Sequence, residues 1–152
     1  MIKIYVAQYR GISLTSRLIR WYTRFAYSHS AYYDPAKGRV IEAWGGGVQE
    51  AKPLDHHTAG TPIELFSLEV TREQKDAIEG FLTRQLGKKY DFPGVFGFVL
   101  KNRDRSNKWF CSELVFAAFL MADIPLLKRI EPARVSPGML GASPLLNFER
   151  LL

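Results

Sequence analysis

A single α+β domain is the fold class that this chain predicts, and three observations carry it. Short segments alternate apolar and polar residues with the period of two that marks strands, and connections rich in turn residues join them into an antiparallel sheet. Two segments repeat apolar residues at helical spacing, and a third is continuously apolar over the length of a helix. The 152 residues suit one domain, 1–152, able to bury a single core without disulfides. With 47% apolar and 24% charged residues, the composition excludes disordered and fibrous classes.

Ile2, Ile4 and Val6 alternate with more polar neighbours and predict a first strand ending by Gly11. Over 13–22, Leu14, Leu18, Trp21 and Tyr22 recur at helical spacing, with Arg17, Arg20 and Arg24 on the other side; a helix this short is expected to pack its apolar side on the core. Strand-like stretches follow at 26–34, 39–44, 47–51 and 63–70. They are separated by "PAKG", by "GGG" and by the long connection "KPLDHHTAGTP". A helix is expected over 71–86, with Thr71 as N-cap, Ile78, Phe81, Leu82 and Leu86 on one face, and Gly87 as the stop. Residues 88–109 carry a proline, aromatic residues and a charged loop. "FCSELVFAAFLMADI" then predicts a buried helix over about 111–122. The tail after Pro125 reads as irregular, with one short terminal strand.

A net charge of +6 and a pI near 9.5 favour an anionic neighbour, but Lys and Arg are scattered in small clusters such as Lys88 and Lys89, or Lys101, Arg103 and Arg105. No nucleic-acid motif accompanies them, so a solvated basic surface is expected rather than a nucleic-acid site. No window approaches the length of a bilayer span and no secretory signal is visible, which predicts a soluble, cytoplasmic protein.

Cys111 is the only cysteine, so it serves packing or chemistry. It lies in or beside the first turn of its helix. There, free backbone N–H groups and the positive dipole end favour a thiolate and also suit an oxyanion. A nucleophile also needs a base. If "PAKG" is a four-residue hairpin loop, Asp34 pairs with Arg39, and His29 and Glu42 become diagonal neighbours on one face. A one-residue slip would separate them. His56 and His57 sit in a long connection without the spacing of a zinc motif, so a polar loop is expected there and no metal.

"SHSAYY" with His29, "VIEAWGGGV" with Glu42, "LGKKYDF" with Tyr90 and "WFCSELV" with Cys111, in that order, resemble the circularly permuted branch of the NlpC-like papain superfamily, the permuted papain-like amidases. The resemblance spans about residues 1–125. It implies a permuted papain-like fold, with the sheet packed against helices that include the nucleophile helix. It further implies a cysteine hydrolase in which Cys111 attacks, His29 is general base and acid, Glu42 orients His29, and Tyr90 lies near the oxyanion or substrate. No cofactor and no metal are expected. Amide or ester bonds, including those of cell-wall peptides reached after lysis or phage delivery, are the implied substrates. Two alternatives stand beside this: a lipid-directed acyl hydrolase or acyltransferase in peripheral contact with membranes, and a non-catalytic binding module. Asp91, His56, His57 and the tail after Pro125 receive no role.

Overall fold

The computed structural model describes residues 1–91 and 107–152. The elements in chain order are β1 (Ile2–Tyr9), α1 (Leu14–Thr23), β2 (His29–Asp34), β3 (Arg39–Trp44), β4 (Gly47–Ala51), β5 (Ile63–Val70) and α2 (Arg72–Gln85). After these come β6 (Lys89–Tyr90), β7 (Lys108–Trp109), α3 (Cys111–Leu120), α4 (Pro137–Gly141) and β8 (Asn147–Leu151). Six strands form one antiparallel sheet in the order β4-β3-β2-β1-β5-β8, and β6 pairs with β7 in parallel. The proline and aromatic residues after Asp91, and the basic group at Lys101, Arg103 and Arg105, lie outside the described residues.

Strand alternation divides the apolar residues between two faces. Ile4, Val6, Tyr32, Ile41, Ala43, Phe66 and Val70 face α2 and α3, where they meet Ile78, Leu82, Leu114, Val115 and Phe119. Ala7, Tyr9, Ala31, Val40, Ile63 and Leu65 occupy the other face. The apolar residues of α3 lie all round the helix rather than in a stripe, which suits its central burial. In α2 the hydroxyl of Thr71 accepts from the Gln74 N–H, and the Gln74 side chain accepts from the Thr71 N–H, so two orphan donors at the helix start are satisfied.

The hairpin of β2 and β3 begins with Asp34 opposite Arg39, as the loop spacing predicts. The long connection after β4 is held back on the sheet: the Tyr9 hydroxyl donates to the Leu54 carbonyl at 2.9 Å, and the Arg10 N–H donates to the Pro62 carbonyl at 3.0 Å. These contacts bring residues 54–62 over the face that carries Tyr9.

The first helix departs from expectation. Capped by Ser13, α1 turns Ser16 and Ile19 inward and leaves Leu14, Leu18, Trp21 and Tyr22 exposed. Ser16 packs tightly on Gly11, where a Cβ would lie 2.1 Å from the Ser16 oxygen. Among the described residues no helix is long and apolar enough to cross a membrane.

Candidate metal centre

The site is organised around one buried carboxylate. Glu42, in the middle of β3, has no solvent exposure. Its Oε2 lies 2.6 Å from the Nε2 of His29 and 2.9 Å from the Nε2 of His57. Its Oε1 lies 2.6 Å from the Nε2 of His56 and accepts from the Gln49 amide at 2.9 Å. Four contacts on two oxygens make a buried anion tolerable, since an unpaired carboxylate would be strongly disfavoured there.

Each partner comes from a different part of the chain. His29 opens β2 and Gln49 lies opposite Glu42 on β4, while the connection held down by Tyr9 delivers His56 and His57. The two imidazoles on Oε2 sit among aromatic rings. Trp44 lies 4.7 Å from His29 and 4.4 Å from His57, and Tyr9 lies 5.1 Å and 4.5 Å from the same two rings. His56 is fixed by its other nitrogen, 2.9 Å from the Pro53 carbonyl.

Burial pushes the Glu42 carboxyl up, but the charges and hydrogen bonds of His29 and His57 outweigh it, and the group is held far below the ordinary carboxylate range. Burial lowers the basicity of His29 below that of free imidazole, against the pull of Glu42. At His29 burial favours the neutral imidazole and Glu42 favours the charged one; an anionic carboxylate and a neutral imidazole are the forms in which these side chains ligate a metal ion. Burial, and then the charge of Glu42, raises the Tyr9 phenol, so it remains a donor to Leu54.

Donor atoms of His29, Glu42 and His57 all lie within 4.8 Å of one another. Zinc-class ions bind imidazole nitrogen and carboxylate oxygen at about 2.0–2.2 Å, and these three side chains supply that donor set in one cluster. The donor set therefore fits a divalent transition metal, and the expectation of no metal at these residues is corrected. Spacing along the chain did not reveal it, because the three residues are brought together by sheet pairing and a loop anchor. The adjacent His56 and His57 were the visible signal, and their partner was the strand carboxylate already singled out.

Cys111 does not join this group. His29 and Glu42 project from the sheet face that carries Tyr9, Ala31 and Val40, whereas α3 packs on the opposite face. Neither nitrogen of His29 bonds the sulfur, since Nε2 contacts Glu42 and the buried Nδ1 has no hydrogen-bond partner. The thiol is fully buried against Ile19, Phe110 and Tyr90. Burial pushes its pKa up to about 12, despite backbone N–H groups at Ser30 and Ser112 that favour the thiolate. At the start of α3 desolvation thus wins over the N–H groups on which a reactive thiolate was expected. We expect iodoacetamide to modify native Cys111 at least about 100-fold more slowly than a free thiol at pH 7.5, with normal speed restored in denaturant. Fast labelling of the native chain, followed by mass spectrometry, would contradict this.

Tyr90 lines a cleft of 200 Å³ together with Ser13, Thr15, Ile19, Trp44 and Gly45. Burial and the nearby Cys111 and Asp91 raise its phenol. A smaller cavity of 50 Å³ reaches His29 and His57 and shares Ser13, Ser16, Ser28 and Trp44 with the cleft.

No protein-family profile matches the chain, and no curated protein matches it. Among solved structures it is similar to the crystal structure of the metalloprotein yiiX from Escherichia coli O157:H7, described as DUF1105. The TM-score is 0.74 at 20% identity, over 97% of this chain and 96% of that one. The likeness shows an α+β fold of the yiiX type, which replaces the permuted papain-like fold expected from the sequence motifs. The assignment to papain-like amidases falls with it. So does the Cys111–His29–Glu42 hydrolase mechanism on amide, ester or cell-wall bonds, because the structure brings His29 and Glu42 to His57 and leaves the cysteine apart.

Proposed function

We propose that the protein is a metal-dependent enzyme that holds one divalent transition-metal ion through His29, Glu42 and His57. The observation that carries this reading is the convergence of two imidazoles and one buried carboxylate beside a cleft. Two imidazoles and a carboxylate are the donor set of catalytic sites that keep a coordination position open for substrate or water. The solved metalloprotein of the same fold supports the reading. A cation held here supplies Lewis acidity to a group bound in the cleft.

The chain's own residues prepare for that role. Glu42 stays anionic and offers Oε2, while Gln49 and His56 hold Oε1 and stop the carboxylate from turning. Tyr9 and Trp44 wall the imidazoles and keep bulk water from them. Tyr90 contacts the substrate from the cleft wall it lines.

The test is a titration of chelator-treated protein with Zn²⁺ or Co²⁺, followed by calorimetry and, for Co²⁺, by visible absorption. We expect one equivalent bound below micromolar Kd, a cobalt spectrum of low-symmetry imidazole and carboxylate ligation, and loss of both in His57→Ala. Absence of binding, or equal binding by His57→Ala, would show that the four contacts on Glu42 are a hydrogen-bonded brace and nothing more.

A further inference from the structure

The helix α1 wears its apolar stripe on the outside. At about 100° per residue, Ser16, Ile19 and Thr23 share one face, and that face turns inward. Leu14, Leu18 and Trp21 share the opposite face and are 84%, 43% and 75% exposed. Ile12, Tyr22 and Phe25 extend the exposed apolar surface around and beyond the helix ends. A contiguous patch of this kind marks an interaction surface. It is also strongly cationic: Arg17 and Arg24 are exposed beside it, and no Asp or Glu occurs in the chain before Asp34.

We propose that α1 seats the protein on an anionic phospholipid surface, with Leu14, Leu18 and Trp21 in the boundary between headgroups and acyl chains and with Arg17 and Arg24 on headgroup phosphates. Leucine, tryptophan and arginine divided in this way over one short helix satisfy both the apolar and the charged layers of such an interface. A nucleic acid would meet the arginines and leave the leucines in water. A second copy would cover the leucines and bring two sets of like-charged arginines together. Of these three, the anionic bilayer answers both halves of the surface. Thr15, Ser16 and Ile19 of α1 line the 200 Å³ cleft, so a seated protein holds that cleft within about 10 Å of the lipid, one helix diameter away. This docking does not depend on the metal.

Co-sedimentation of the full chain with vesicles of phosphatidylglycerol and phosphatidylcholine, against pure phosphatidylcholine, tests the proposal. The expected result is binding to the anionic vesicles only, weakened by high salt and reduced at least about tenfold in Leu14→Ser/Trp21→Ser. Both changed side chains are solvent-exposed, and far-UV circular dichroism together with zinc titration reports whether that variant is folded. Vesicles with brominated acyl chains should quench tryptophan fluorescence in the wild type and do so much less in Trp21→Phe. The proposal is overturned if anionic vesicles do not bind, if the double variant binds as well as wild type, or if wild type is a dimer that the double variant converts to a monomer.

Discussion

Replacing Glu42 with glutamine is expected to abolish metal binding and destabilise the fold in one step. The substitution keeps size and shape but removes the charge, and it turns one acceptor oxygen into an NH₂ donor. Every neighbour of that carboxylate approaches with a nitrogen: His29 and His57 on Oε2, His56 and Gln49 on Oε1. Whichever way the amide turns, its NH₂ group faces two nitrogens, and the residue itself has no solvent exposure. Breaking one partner of a buried charged network costs about 3–5 kcal/mol. Urea denaturation of the metal-free variant should show a loss of that order. Loss of the only anionic ligand should also lower zinc affinity by at least about 100-fold, because a neutral amide oxygen is a far poorer partner for a divalent cation. The two readouts separate two roles. A variant that is destabilised, in a protein whose wild type gains no stability from added zinc, would leave Glu42 as a structural anion. A variant that retains zinc as wild type does would remove Glu42 from the ligand set.

Much of the scaffold was legible because it follows from local rules. Period-two alternation located β1, strand-like stretches between turn-rich connections located β3, β4 and β5, and Thr71 with Gln74 announced the start of α2. Through the hairpin loop, the sequence also placed His29 near Glu42. What local rules did not carry was direction and distance. The helical spacing in α1 is plain, yet Leu14, Leu18 and Trp21 face out, because the helix seats on Ser16, tight against Gly11, and on Ile19. A helix start favours a thiolate in general, but Cys111 is packed against Ile19, Phe110 and Tyr90 beyond the reach of water, and desolvation reverses the sign. His57 joins His29 and Glu42 through the anchoring of the connection by Arg10 and by Tyr9, the latter a contact 45 residues apart in sequence. Motif spacing has no access to such a pairing, which is why those histidines read as a polar loop.

The metal-free protein is expected to lose stability steadily on acidification, and the direction follows from two groups acting together. The folded state holds the Glu42 carboxyl well below its ordinary value of 4.5. A depressed carboxyl contributes stability that is complete above the unfolded pKa and is lost as pH falls through the folded one. His29 is depressed from 6.5 by burial. Below that pH the unfolded chain takes up a proton that the folded imidazole refuses, so stability again falls with falling pH. The first decline therefore begins near pH 6.5 and belongs to His29, and the second begins near pH 4.5 and belongs to Glu42. Each group contributes a slope of up to about 1.4 kcal/mol per pH unit within its window. Urea midpoints measured between pH 8 and pH 3.5 would reveal both. His29→Gln should flatten the profile just below 6.5, and Glu42→Gln should flatten it below 4.5. A profile between pH 6.5 and 5 that His29→Gln leaves unchanged would mean that burial does not depress His29 in the folded state.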